Sequence, residues 1–78
     1  MIAKPFILVT GASGFLGSRL VKQLVARGER VKGLVRAGAN LEMLRGIPEE
    51  QFQLAYGDVL IDHTIYRALA GCDRLFHV

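Results

Sequence analysis

The chain has 78 residues, of which 51% are hydrophobic, and a formal net charge of +3. A globule of this length buries only about 60% of its unfolded surface, so the apolar share predicts a piece of a larger core. The basic residues are interleaved with acids, which argues against a nucleic-acid partner, and no apolar run is long enough for a signal peptide or a membrane span. The single Cys72 excludes an internal disulfide and favours a reducing compartment, which we take to be the cytoplasm.

The first half of the chain predicts a strand, a helix and a second strand. Residues 5–10 have the apolar run of a buried strand, and residues 16–27 have the periodicity of an amphipathic helix that Gly28 ends. Residues 30–36 form the next strand. The side chains predicted to line the inner face of the helix are Leu16, Leu20, Val21, Leu24 and Val25.

The second half continues the alternation. We expect a short helix over residues 41–45 capped by Asn40, a strand over 52–56, a helix over 63–70 capped by Asp62, and a strand over 73–78. Strands that alternate with helices predict an α/β fold: a four-stranded parallel sheet of order 3-2-1-4 with right-handed crossover helices.

Three glycines, at positions 11, 14 and 17, follow the first strand and lead into the first helix. In a strand-to-helix turn, Gly11 permits the tight bend, Gly14 lets the backbone approach a pyrophosphate, and Gly17 lets helix and strand pack closely. The backbone N–H groups of Phe15 and Leu16 and the hydroxyl of Ser13 add phosphate donors. The pattern predicts a partial Rossmann fold that binds a small-molecule dinucleotide; the alternative is a merely structural connection.

Arg36 follows the second strand, where NAD-binding proteins carry an acid that accepts both ribose hydroxyls. A permanent cation at this place favours the 2′-phosphate of NADP, with NAD as the less favoured cofactor. Arg45 and Lys32 are weaker candidates for the same role. The alternative is a solvated arginine at a strand end.

The glycine spacing G-x-x-G-x-x-G, together with Gly57-Asp58-Val59, the segment from Asp62 to Asp73 and the strand around His77, resembles the extended short-chain dehydrogenase/reductase family. The likeness is to its epimerase/dehydratase and dihydroflavonol-reductase-like branch and covers essentially the whole chain. It implies that Asp58 accepts a hydrogen bond from the adenine amine and that Val59 supplies a backbone contact. The alternative for Asp58 is a turn residue that binds its own backbone.

The catalytic residues of that family do not occur in this sequence. Its hydride-transferring members use a Tyr with a Lys four residues later, but Tyr56 is followed there by Leu60 and Tyr66 by Ala70. We therefore assign no catalytic residue. We assign no metal site either, because neither His63 nor His77 has a partner at ligand spacing. His63 is expected to be solvated and His77 to be packed and hydrogen-bonded.

These observations predict that residues 1–78 are the N-terminal, NADP-binding part of a reductase or epimerase/dehydratase that acts on a carbonyl or nucleotide-sugar substrate, not catalytically complete alone. A non-catalytic dinucleotide sensor and a minimal assembly module remain alternatives. The unpaired edge of the fourth strand predicts self-association.

Overall fold

The computed structural model of the protein describes residues 4–78. Strands and helices alternate through this part of the chain as the apolar periodicity predicts. Two helices and one 3-10 helix connect four strands. The elements are β1 (Phe6–Thr10), α1 (Phe15–Ala26), β2 (Arg30–Val35), the 3-10 helix (Glu42–Leu44), β3 (Phe52–Tyr56), α2 (Asp62–Ala68) and β4 (Cys72–Phe76).

The four strands form one parallel sheet in the order β3-β2-β1-β4, which confirms the predicted α/β architecture. In the register, Val9 of β1 pairs with Gly33 of β2, and Leu34 pairs with Ala55 of β3. All four carboxyl ends therefore lie at one edge of the sheet, where ligands bind in open α/β folds.

Helices cover both faces of the sheet. On one face, α1 and the 3-10 helix pack on the sheet, and the largest fully buried side chains there are Ile7, Val9, Val21 and Val31. On the other face, α2 covers a smaller cluster of Leu8, Leu34 and Ala68, with Ile65 and Leu69 partly buried beside it. Because β1 lies under helices on both sides, all five of its residues are buried.

The inner face of α1 differs from the prediction at Leu16, whose side chain is 69% exposed. Val21 and Leu24 are buried and Leu20 and Val25 are half-buried, as expected. The helix packs Gly17 against the turn at Gly11 and Ala12. Neighbouring residues on a helix are rotated by about 100°, so Leu16 lies at the side of the helix and not beneath it.

The C-terminus of α1 is ended by a glycine, as predicted. Gly28 has φ +84°, its N–H donates to the carbonyl of Val25, and the N–H of Glu29 donates to the carbonyl of Leu24. This pair of bonds is a Schellman motif, which satisfies carbonyls that the last turn leaves open.

The start of α2 corrects the predicted cap. Asp62 lies inside the first turn, the N-cap residue is Ile61, and no side chain caps the helix. A turn closed by the Ile61 N–H on the carbonyl of Asp58 brings the chain into the helix one residue earlier than expected.

β4 is also shifted, to Cys72–Phe76, so His77 and Val78 follow the strand. The short helix predicted over residues 41–45 is a single 3-10 turn. The predicted cap at Asn40 is wrong, because the N-cap residue is Leu41 and no side chain caps the turn. Asn40 instead forms an Asx turn just before it, in which its Oδ1 accepts the N–H of Glu42 at 2.9 Å.

Candidate functional site

A cleft of about 840 Å³ opens at the carboxyl-end edge of the sheet. It brings together six of the nine residues that the sequence singles out for ligand binding: Gly11, Ser13, Gly14, Arg36, Asp58 and Val59. Phe15, Leu16 and Gly17 do not line it. The cleft is formed by residues 10–11, 13–14, 34–40, 57–60 and 77–78.

The glycine turn has the conformation that its residues require. Gly11 has φ +61°, a value that L side chains rarely adopt, and a Cβ there would also approach the carbonyl oxygen of Val78 to 3.3 Å. A Cβ on Gly17 would overlap the carbonyl oxygen of Gly11 and lie 2.8 Å from its carbonyl carbon. Gly17 is therefore a packing residue that lets α1 lie against the turn.

Gly14 is different, because a Cβ there would meet only the carbonyl oxygen of Gly11, at an ordinary 3.5 Å. Its backbone is extended, with φ −78° and ψ 175°, so no strain demands a glycine. A side chain added at Gly14 would occupy open space of the cleft beside the turn. The structure thus leaves room for a group that approaches the Gly14 backbone.

α1 begins at this turn with its first N–H groups free of competing side chains. Gly14 is the N-cap residue, no side chain caps the helix, and no acidic residue lies in its first turn. The first-turn N–H groups of a helix have no partner within it, and the helix dipole adds partial positive charge there. Phe15 and Leu16 contribute to this end through their backbone, and their side chains are exposed.

Arg36 comes directly after β2 and is the one Lys or Arg among the described residues of the cleft lining. Within residues 4–78 its guanidinium forms no hydrogen bond or ion pair, and it is exposed. The two weaker candidates for the 2′-phosphate contact bind other groups of the chain. Arg45 forms an ion pair with Glu42 at 2.8 Å, and Lys32 donates a hydrogen bond to the carbonyl of Ala70 at 2.6 Å. Neither lines the cleft.

Asp58 and Val59 lie opposite the glycine turn in the loop that follows β3. Asp58 Oδ1 accepts the N–H of Leu60 at 2.9 Å, which is the turn-forming role that the sequence left as an alternative. A carboxylate has acceptor sites on both oxygens, and Oδ2 has no partner among the described residues. Asp58 can therefore hold its turn and accept a further hydrogen bond.

Thr10 and His77 are cleft residues to which the sequence reasoning gave no binding role. The Thr10 hydroxyl is buried and shares a 2.9 Å hydrogen bond with Nδ1 of His77. The predicted hydrogen bond of His77 is present, but the ring is exposed and not packed, because β4 ends before it. The sequence feature that could have placed Thr10 in the cleft is its position at the end of β1, next to Gly11.

The donor set of the cleft fits an adenosine diphosphate group. Free first-turn N–H groups and an unfilled space at Gly14 suit a diphosphate, an unpaired guanidinium suits a further phosphate, and a carboxylate with one open oxygen suits an exocyclic amine. The cleft volume is within the range of sites for small molecules and cofactors.

These features define a dinucleotide-binding domain, and the family model described as NAD(P)H-binding matches residues 11–78. The chain belongs to this family, within the extended short-chain dehydrogenases/reductases, and it has the NAD(P)-binding Rossmann-like fold. The predictions of family, fold and dinucleotide binding are confirmed.

Relatives of known name agree with this assignment. The chain is 44% identical over 70 residues to sterol demethylase protein B of Methylococcus capsulatus, covering 90% of this chain and 20% of that protein. It is 39% identical over 77 residues to dihydroflavonol 4-reductase of Hordeum vulgare, covering 92% and 22%. The crystal structure of vestitone reductase from alfalfa superposes with a TM-score of 0.82 at 32% identity, covering 95% and 24%. The chain thus spans about a fifth to a quarter of these relatives.

No helix between residues 4 and 78 has the length and apolarity that crossing a bilayer requires.

Proposed function

We propose that this chain provides the NADP-binding part of a reductase or epimerase/dehydratase of the dihydroflavonol-reductase-like branch, acting on a carbonyl or nucleotide-sugar substrate. The observation that carries the cofactor choice is Arg36, the one guanidinium on the cleft and without a partner among the described residues. Bound NADPH would supply the hydride. The residues of this chain bind and orient it, and the proton donor lies in a part of the protein that these residues do not include.

Each of the nine predicted site residues has a role in this proposal. The N–H groups of Phe15 and Leu16 and the hydroxyl of Ser13 bind the diphosphate, which the absent side chain of Gly14 admits. The guanidinium of Arg36 binds the 2′-phosphate. The nine residues that we propose for the cofactor site are Gly11, Ser13, Gly14, Phe15, Leu16, Gly17, Arg36, Asp58 and Val59.

Asp58 and Val59 bind the adenine in this proposal. Asp58 accepts the 6-amino group on its open oxygen, and Val59 contributes its backbone. Gly11 and Gly17 act on the ligand only through the shape of the turn that they permit.

Calorimetric titration of the chain with NADP and NAD tests the cofactor choice. A charge-assisted hydrogen bond contributes about 1.5–3 kcal/mol, so Arg36→Ala should weaken NADP roughly 10- to 100-fold and leave NAD nearly unchanged. Arg67→Ala is the matched control, because Arg67 is an exposed guanidinium on α2 outside the cleft. Equal losses for both cofactors in Arg36→Ala would remove Arg36 from the 2′-phosphate site.

We also propose that residues 1–78 are the N-terminal part of a larger dinucleotide-binding domain. Support comes from the share of the relatives that the chain spans and from the open edge of β4, where Leu75 and Phe76 are 49% and 37% exposed. The same edge leads us to propose that the 78-residue species self-associates by strand pairing or exchange. The free thiol of Cys72 supports a reducing compartment, the cytoplasm.

A further inference from the structure

Thr64, in the first turn of α2, lies outside the cleft but contacts the backbone of the proposed adenine-binding residue. Its hydroxyl oxygen accepts the N–H of Asp58 at 3.0 Å. The same hydroxyl lies 2.8 Å from the carbonyl oxygen of Asp58 and 2.7 Å from that of Ile61, which share its single hydrogen. One side chain thus holds both backbone polar groups of Asp58.

Close packing adds to these hydrogen bonds. A Cβ on Gly57 would lie 2.7 Å from Cβ of Thr64 and 3.1 Å from Cδ1 of Leu34, so the backbone of Gly57 is enclosed between α2 and the sheet. On its other side, the Gly57 N–H donates to the carbonyl of Val35 at 3.0 Å. The peptide before Asp58 is therefore held by packing against Thr64 and Leu34 and by the hydrogen bond to Val35.

The fixed backbone determines where the Asp58 carboxylate can go. Oδ1 is held by the Leu60 N–H at 2.9 Å, and Oδ2 has no partner within residues 4–78. An ionised carboxylate only accepts hydrogen bonds. A carboxylate at this place would accept a hydrogen bond from the 6-amino group of adenine and would repel the 6-carbonyl of a hypoxanthine ring.

We propose that Thr64 is a positioning residue for purine recognition: by holding the backbone of Asp58 it sets the selectivity of the site for a 6-amino over a 6-oxo purine. The inference rests on the proposed dinucleotide function and adds to it a residue that does not touch the ligand. The hydroxyl is the group that matters, because valine has nearly the same shape but would leave the half-buried Asp58 N–H without its acceptor.

The test compares binding of NADP with binding of its hypoxanthine analogue, in which a carbonyl replaces the 6-amino group. The wild-type chain should prefer NADP by about tenfold or more. Thr64→Val should reduce this preference to within about threefold, and Thr64→Ser, which keeps the hydroxyl, should retain it. His63→Ala, an exposed neighbour on α2, is the matched control and should behave as wild type. An unchanged preference in Thr64→Val would overturn the proposal.

Two further variants separate this proposal from the function on which it rests. Asp58→Asn offers a side-chain amide and should shift the preference toward the hypoxanthine analogue; the shift should be lost in Asp58→Asn/Thr64→Val. If Asp58→Asn alone changes nothing, Asp58 is not the purine contact and both proposals for the adenine site fail. A Thr64→Val effect without any wild-type preference for NADP over NAD would overturn only the role of Arg36.

Circular dichroism of each variant checks folding. If Thr64→Val does not fold, Thr64→Ala removes the hydroxyl without adding bulk, and its preference must fall in the same way. A Thr64→Ala chain that folds and keeps the wild-type preference would overturn the positioning role.

Discussion

The hydroxyl of Thr10 joins the end of β1 to the segment after β4, through a 2.9 Å hydrogen bond with Nδ1 of His77 and a 3.1 Å hydrogen bond from the N–H of Val78. The carbonyl oxygen of Val78 in turn limits the space beside Gly11. The glycine turn is therefore supported from the neighbouring strand as well as from its own helix. One buried side chain connects the two segments of chain that meet at the cleft.

Thr10→Val should lower the free energy of unfolding by about 0.5–1.5 kcal/mol, because it removes the hydrogen bonds to His77 and Val78, whose exposed groups can then bond to water. Thr10→Ser keeps the hydroxyl and should retain the amide protection of Val78, which Thr10→Val should lose. Urea unfolding and amide hydrogen exchange measure the two effects. Equal protection of Val78 in both variants would show that the hydroxyl does not hold this segment.

Gly14→Ala and Gly17→Ala should affect different properties of the chain: the first should weaken dinucleotide binding, and the second should lower stability. The Gly14 backbone is compatible with alanine and an added Cβ meets only ordinary contacts. The stability of the variant should therefore stay within about 1 kcal/mol of wild type, because the reduced entropy of the unfolded chain is offset by the weaker preference for alanine at an N-cap. Its dinucleotide affinity should fall, because the methyl group fills the space that a diphosphate needs. Gly17→Ala should lose about 1–3 kcal/mol of stability, because its Cβ overlaps the Gly11 carbonyl. Thermal unfolding and titration with NADP separate the two variants. A Gly14→Ala chain that is as strongly destabilised as Gly17→Ala would contradict the assignment.

The 78-residue chain should show no reductase turnover, since neither Tyr56 nor Tyr66 is followed by a lysine at the fourth position. The measurement is NADPH oxidation with a panel of aldehydes and ketones against a buffer control. Turnover above the control that Tyr66→Phe leaves unchanged would show that a different group donates the proton.

The exposed edge of β4 should drive association of this chain. Leu75→Lys places a charge on that edge and should shift the sedimentation of a low-micromolar sample toward monomer. Gln53→Lys, on the opposite edge strand β3, is the control and should leave the distribution unchanged. A wild-type monomer whose amides at residues 74–78 exchange freely would rule out association through β4.

Cys72 should react slowly with alkylating agents in the folded chain. Burial raises the pKa of its thiol, the nearby charge of Lys32 lowers it in part, and Asp73 raises it again. The fraction of reactive thiolate at about pH 8 is then smaller in the folded than in the unfolded chain. Lys32→Met removes the opposing charge and should slow alkylation further.

The raised pKa of Cys72 also makes the stability of the folded chain depend on pH. The folded chain holds the thiol proton more tightly than the unfolded chain does. This contribution to stability is present below the unfolded pKa and is lost as the pH rises through the folded pKa. A folded chain that alkylates as fast as the denatured chain would contradict the assignment.

The sequence by itself determined the topology and the class of ligand. Alternating apolar runs, Gly28 at the end of α1 and the glycines at 11, 14 and 17 are local signals, because each depends on the conformation of neighbouring residues. The position of Arg36 after the second strand likewise needs only the order of the elements.

The tertiary structure alone decided the contacts between distant segments. Leu16 faces outward because Gly17 fixes the rotation of α1 against the glycine turn, and Asp62 is not a cap because a turn at Asp58 starts α2 earlier. The Thr10–His77 bond joins residues 67 positions apart, and the side chain of Thr64 meets Asp58 only because α2 folds back over the end of β3. Such contacts arise from packing in three dimensions, and no periodicity or motif along the chain encodes them.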